Sequence, residues 1–429
     1  MSGADRRRLG TLSLGALVSA NMIGAGVFTT SGFALADLGS PTYVMLAWAL
    51  GGVIAVLGAL CYGALAARIS ESGGEYTFLL RTLHPSVGFM AGWVSIWAGF
   101  TGAIAFAAEA AQAYVTPWIP EGVPPDLIGS VAIVLAGLLH TRGVHQGARV
   151  QNVVVIVKIA MLLVLIAIGA SHLAIQPVAE EAQAPAAFSF GTFAVTMMWV
   201  SLSYSGWNAA VYVAGEARDP ERTLPRSMLF ATLLVTGVYL ALNGIFVHAA
   251  PLEVLAGQQD IAAVAATALG GHTLELFVRV VLAVALLTSI SSLVMIGPRV
   301  IAQMAGDGFL PRRLAFKGEV PAAAIWTQVV LAVAILWASG LREQLTNLGW
   351  ILSLFTALTV IGLLRLRKLE GPAAVPIPGY PFVPLAFLAI VLGLTATMVF
   401  VHGNQLVPSS VVIASGAVLY LRRSKTRGT

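Results

Sequence analysis

Asn21-Met22-Ile23-Gly24-Ala25-Gly26-Val27-Phe28 is the stretch from which the fold can be read. Two glycines flank an alanine midway along an apolar segment that would otherwise make one good helix. Each glycine costs a helix about 1 kcal/mol relative to alanine, so an interruption is expected here. A second is expected at Leu202-Ser203-Tyr204-Ser205-Gly206-Trp207-Asn208, where a helix-indifferent cluster replaces a run of Leu and Val. The two occupy corresponding places in the two halves of the chain. Unwound backbone at membrane depth is tolerated where protein encloses it or where it lines a cavity, and a matched pair of interrupted segments points to a transport site. The competing reading of Gly24 and Gly26 is close helix packing of the small-xxx-small kind.

Outward from these segments the chain is a succession of apolar blocks. Of its 429 residues 58% are hydrophobic and 10% charged, against about a quarter charged in ordinary soluble domains. A soluble multidomain protein is excluded on that ground. With charges and turn residues as punctuation, spans are expected near 11–36, 41–67, 86–116, 127–141, 148–173, 189–215, 224–249, 271–303, 321–339, 344–365, 381–401 and 406–422. The expected class is an all-α membrane protein of about twelve transmembrane helices, helices one and six being discontinuous.

The net charge of +5 reflects basic residues between the blocks rather than a nucleic-acid surface. With a cytoplasmic N-terminus, the inside segments hold every Lys and Arg except Arg279, Arg342 and the intramembrane Lys158. The positive-inside rule then places residues 1–10 and 423–429 in the cytoplasm of a cell whose inner (plasma) membrane the chain crosses repeatedly. Arg6, Arg7 and Arg8 precede a retained helix, since no small-residue cleavage site follows them. Gln176–Phe188 is read as an outside connection and Gly371–Pro384 as a cytoplasmic one. Cys61 is read as a packing residue.

Unwinding exposes peptide groups. Free amides near Gly24, Ala25 and Gly26 can hold a carboxylate at the start of a half-helix. Free carbonyls near Leu202, Ser203 and Ser205 can accept from an ammonium group. Together they suit the zwitterionic head common to α-amino acids.

The chain resembles the amino acid–polyamine–organocation superfamily, specifically bacterial permeases similar to the L-type amino acid transporters. The resemblance spans nearly the whole chain and is carried by five stretches in order. They are Ile23-Gly24-Ala25-Gly26-Val27-Phe28, Glu71-Ser72-Gly73-Gly74-Glu75-Tyr76, Tyr204-Ser205-Gly206-Trp207-Asn208, the run from Gly215 to Arg226, and Pro298-Arg299 with Ala305 to Pro311. It implies a five-plus-five inverted repeat, over 11–173 and 189–365, with 381–422 forming two peripheral helices. It also implies alternating access by a bundle that rocks against a scaffold. Met22, Ala25 and Gly26 would line the substrate site, and Leu202 stands where several relatives carry an aromatic gate. Met22, Ile23, Gly24, Ala25, Gly26 and Leu202 through Asn208 are thus the candidate substrate-binding residues.

Lys158 lies in a Val- and Ile-rich span, where a central lysine costs about 2.5–3.5 kcal/mol and needs an internal partner. Snorkelling towards the cytoplasmic surface is the alternative. The resemblance puts Lys158 where sodium-coupled relatives bind an ion, with a carbonyl near Ile23 or Gly24 and a hydroxyl of Thr288, Ser289 or Ser292 as partners. Sodium-independent transport follows, by proton coupling or by exchange of one amino acid for another, because a buried lysine can give up its proton near neutral pH.

Glu109 is either an intramembrane functional acid or a group near the outer headgroups. Glu71, Glu75, Glu216 and Asp219 are expected near arginines at cytoplasmic helix ends, as gating pairs or as fixed ones. The histidines show no metal-ligand spacing, and no nucleotide loop or clustered catalytic acids occur, so no metal, cofactor or enzyme activity is expected. Neutral amino acids are the expected substrates. A cationic amino acid or polyamine, held through Trp199, Trp207 or Glu109, is the alternative. A membrane sensor that binds without flux is the rival of a different class.

Overall fold

The computed structural model describes residues 9–141, 148–175, 187–316, 320–372 and 375–427. The basic residues Arg6, Arg7, Arg8, Arg142 and Lys317 and most of the connection Gln176–Phe188 lie outside them. In chain order the α-helices are α1 Thr11–Met22, α2 Gly26–Leu38, α3 Pro41–Ala66, α4 Gly74–Thr82, α5 Pro85–Val94, α6 Ala103–Val115, α7 Pro125–Thr141 and α8 Ala148–Ile175. The order continues with α9 Phe190–Ser203, α10 Pro220–His248, α11 Leu252–Leu255, α12 Ile261–Gly306, α13 Ala322–Leu336, α14 Leu341–Glu370, α15 Phe382–His402 and α16 Val407–Arg427. Among the described residues the extended structure is one isolated bridge, between Leu9 and Ala217.

Local chemistry sets the helix ends. Gly39 takes the left-handed conformation that closes α2, and the proline of Pro41 starts α3 at a position where its missing N–H costs nothing. Among the described residues eight helices or fused helical runs are long and apolar enough to cross a membrane, and α7, α9 and α13 are shorter apolar helices. Large buried rings, Trp48, Trp199, Tyr62 and Tyr204 among them, fill the centre. Alongside it α3 packs on α10 and α12 on α6.

Four elements depart from the helical reading of the sequence. The expected span 189–215 is α-helical only to Ser203. The span expected at 271–303 belongs to a longer run from Ile261, kinked where Gly270 and Gly271 leave helical dihedrals. Between α5 and α6 the chain is π-helical over Ser95–Gly102. The short helix α4, which follows Gly73 and opens on Gly74, both at positive φ, packs against α5, α14 and the stretch after α9.

Candidate functional site

Helix one is broken between α1 and α2. Ile23 leaves the helix (φ −74°, ψ 80°), and the amide of Gly24 folds back onto the Met22 carbonyl at 2.8 Å. The amides of Ala25 and Gly26, at the start of α2, have no backbone partner among the described residues. Such amides carry the positive end of a half-helix. The Gly24 amide, expected free, is therefore occupied, and the amides left without a backbone partner are those of Ala25 and Gly26.

The second break is longer. After α9 the chain turns through Tyr204–Asn208, continues as 3-10 helix over Ala209–Glu216, and returns to α-helix at Pro220. Two of the three carbonyls expected free are engaged: Leu202 accepts from the Ser205 amide at 2.8 Å and Ser203 from the Tyr239 hydroxyl at 3.3 Å. The Ser205 carbonyl has no partner among the described residues. The breaks lie against each other, and each relies on a glycine to do so. A Cβ on Gly206 (φ +104°) would sit 2.7 Å from the Asn21 carbonyl, and one on Gly26 would sit 2.4 Å from Ser203 Oγ. No side chain fits either contact.

Between them is a cavity of about 180 Å³. Met22, Gly24, Ala25, Gly26 and Leu202 through Asn208 line it. Ile23, grouped with them from sequence, is fully buried and absent from the wall; its role is to present its carbonyl to other residues. Several lining side chains are committed elsewhere. Ser203 Oγ bonds Thr30 Oγ1 at 2.8 Å, the Tyr204 hydroxyl donates to the Trp48 carbonyl at 3.1 Å, and the Trp207 ring stands edge-on to Tyr62 at 4.7 Å. Asn208 Nδ2 donates to Glu75 Oε1 at 3.2 Å. The π-helical stretch supplies Ser95, Gly99 and Phe100 to the wall. Their signal in sequence was no stronger than that of any apolar span.

Lys158 is buried rather than snorkelling. Its Nζ donates to the Ile23 carbonyl, to Ser289 Oγ at 3.0 Å and to the Ala285 carbonyl at 3.3 Å. Ser289 Oγ also lies 3.3 Å from the Ile23 carbonyl. Of the other two hydroxyls considered, Thr288 donates to the Ala285 carbonyl and Ser292 lines the cavity, and neither bonds Lys158. Across the break, Tyr239 donates its hydroxyl to the Met22 carbonyl. The break in helix one is thus held open by a lysine on α8, a serine on α12 and a tyrosine on α10.

The acids divide. Glu71 pairs with Arg81 at 2.8 Å and Glu216 with Arg299 at 3.2 Å. Glu75 joins no ion pair among the described residues; it is buried, it accepts the Tyr62 hydroxyl at 2.6 Å, and it lines the cavity. Glu109 accepts the Leu341 amide at 2.9 Å and Gln344 Nε2 at 2.8 Å, so it caps α14 from a neighbouring helix. Trp199 carries the Arg342 guanidinium 5.0 Å over its ring, and Arg342 in turn pairs with Asp37 at the end of α2. Glu109 and Trp199 are therefore occupied by the protein itself and do not form a cage for a substrate cation. Among the described residues no three His, Cys, Asp or Glu side chains gather as a metal site.

The amino acid permease model matches residues 9–421, all but the ends of the chain. The chain belongs to the amino acid permease family. It is similar to the human large neutral amino acids transporter small subunit 2, at 28% identity over 412 residues covering 91% of this chain and 76% of that protein. The human Asc-type amino acid transporter 1 is also 28% identical, over 90% of this chain and 76% of its own length. The mouse b(0,+)-type amino acid transporter 1 is 25% identical over 97% of this chain and 87% of its own. The permease is accordingly a multi-pass membrane transporter of amino acids, of the amino acid–polyamine–organocation superfamily, and not an enzyme.

Proposed function

We propose that the permease moves neutral amino acids across the plasma membrane, without sodium, through the cavity between its two breaks. The observation that carries this is the pair of unwound segments facing each other, with free amides at Ala25 and Gly26 on one side and the free Ser205 carbonyl on the other. A carboxylate bound at the amides and an ammonium bound at the carbonyl meet complementary partial charges in a low-dielectric site. Met22, Leu202, Phe100 and Ile296 give the side-chain space an apolar wall. That favours the neutral amino acids named for one of the relatives.

Lys158 supplies at the break the positive charge that a sodium ion would otherwise bring, and Ser289 positions it. Coupling then runs either through the lysine's proton or by exchange. The remaining architecture is part of the same proposal: about twelve crossings, two inverted repeats over 11–173 and 189–365, two peripheral helices over 381–422, and both termini in the cytoplasm.

Purified permease in sodium-free vesicles tests this. Saturable uptake or counterflow of labelled leucine or alanine is expected, with lysine and putrescine competing weakly. Strict sodium dependence, or substrate binding with no flux in either direction, would overturn it.

A further inference from the structure

The buried acid of α4 has no place in the scheme so far. Glu75 is 4% exposed and stands on a short helix outside the spanning segments, yet it reaches the cavity. Both of its hydrogen bonds fall on Oε1, from Tyr62 on α3 at 2.6 Å and from Asn208 on the second break at 3.2 Å, and Oε2 has no partner among the described residues. Neither donor carries charge. The Tyr62 ring also packs on Trp207, so the carboxyl group clamps two consecutive residues of the break, one directly and one through the tyrosine. A buried carboxylate without a cation is costly. Its retention at the joint between α4 and a break asks for a purpose.

We propose that Glu75 is a positioning residue of the cytoplasmic gate: as a carboxylate it holds Asn208 and Tyr62 and keeps the break closed, and on taking a proton it loosens that hold. The inference rests on the transport function proposed above, worked by the alternating access that the family resemblance implies. Hydrogen bonds to an ionised acceptor are about twice as strong as those to a neutral one, so protonation weakens both contacts without removing either partner. The end of the break is anchored at the same face of the molecule, where Leu9 pairs with Ala217, Glu216 meets Arg299, and the Tyr76 hydroxyl donates to Asp307 at 2.6 Å.

The groups around the acid are neutral. From α3 it faces the Tyr62 phenol, and from the second break Asn208 and the Tyr212 phenol. The α14 hydroxyl of Thr359 reaches Tyr62, and the π-helical Ser95 reaches Tyr212. The nearby basic residues have other partners: Arg81 on α4 pairs with Glu71, and Arg365 on α14 donates to the Leu83 carbonyl. Burial accordingly pushes the Glu75 carboxyl up to about 7, against the smaller opposing pull of its two donors. The hold is present above that pH and is lost as the pH falls through it.

The test is the dependence of exchange on internal pH in vesicles with fixed external pH. Wild-type exchange is expected to rise as the inside is acidified through neutrality. Glu75→Gln, which keeps the shape without the charge, should be flat and permanently fast in that limb. Tyr62→Phe removes one donor that stabilises the carboxylate, and should move the midpoint upward by about one pH unit. A limb unchanged in Glu75→Gln would overturn the proposal. If that variant does not fold, an unmoved midpoint in Tyr62→Phe would overturn it instead. Loss of affinity for lysine alone in Glu75→Gln would assign the acid to substrate selection and would also overturn it. Wild-type vesicles that carry no flux at all would instead refute the transport scheme, a result separable from each of these.

Discussion

The two breaks solve one problem in different ways. Helix one is interrupted over Ile23–Ala25 and resumes at once, and its exposed carbonyls at Met22 and Ile23 are claimed by side chains arriving from α8, α10 and α12. The second break turns through Tyr204–Asn208 and goes on as 3-10 helix to Glu216, and it is held largely by packing, with Tyr204 against Trp48 and Trp207 against Tyr62. A short gap leaves few peptide groups without partners, and tethers to single atoms suffice. A long gap needs a surface to lie on. The first break is therefore held by single polar tethers, whereas the path of the second is set by shape, with charge entering at its Asn208 clamp.

The contrast can be broken most severely at the shape-determined end. Gly206→Ala places a Cβ against the Asn21 carbonyl in a backbone region that L-residues avoid. A loss of about 2–5 kcal/mol is expected, combining the dihedral and overlap costs. It should appear as a large drop in the thermal unfolding midpoint in detergent, with no transport. A variant as stable as wild type would mean that the breaks are not in contact.

Lys158→Ala comes next. The protein should still fold, because removing the ammonium leaves the Ile23 carbonyl with the Ser289 hydroxyl. Hydrogen bonds to charged groups contribute about 1.5–3 kcal/mol, so uptake should fall by about tenfold or more. Its dependence on pH should change as well. Uptake at wild-type rates at every pH would remove charge from the account of the first break.

The smallest effect sharpens the comparison. A Cβ on Gly24 would find its nearest neighbour, the Met22 carbonyl, at 3.8 Å. Gly24→Ala should cost less than about 1 kcal/mol and leave uptake within a few-fold of wild type. A severe defect would show that the first break also depends on shape.

Sequence carried the breaks because a helix that abandons its hydrogen bonds must also abandon the residues that favour them, and the clusters at 22–26 and 202–208 show that locally. It carried Lys158 because a lone cation among valines is conspicuous. What it could not carry was long-range pairing. Glu109 reads as a headgroup-level acid until α14, far along the chain, brings Leu341 and Gln344 to it. Glu75 reads as one more acid among arginines until α4 folds inward beneath the cavity, and nothing in its immediate neighbours distinguishes it from Glu71, which does find an arginine. The free amides were similarly misjudged at Gly24, where a bond to the residue two before it depends on one dihedral of Ile23.

The π-helical turn over Ser95–Gly102 has an evolutionary corollary. Such a turn is what a helix becomes when it absorbs one surplus residue without rotating the segments on either side. Deleting a single position there would restore ordinary pitch, leave α5 and α6 each with its own neighbours, and redraw only the patch of wall that Ser95 and Phe100 give to the cavity. Gain or loss of one codon there would thus reshape one patch of the cavity and leave the rest of the architecture untouched.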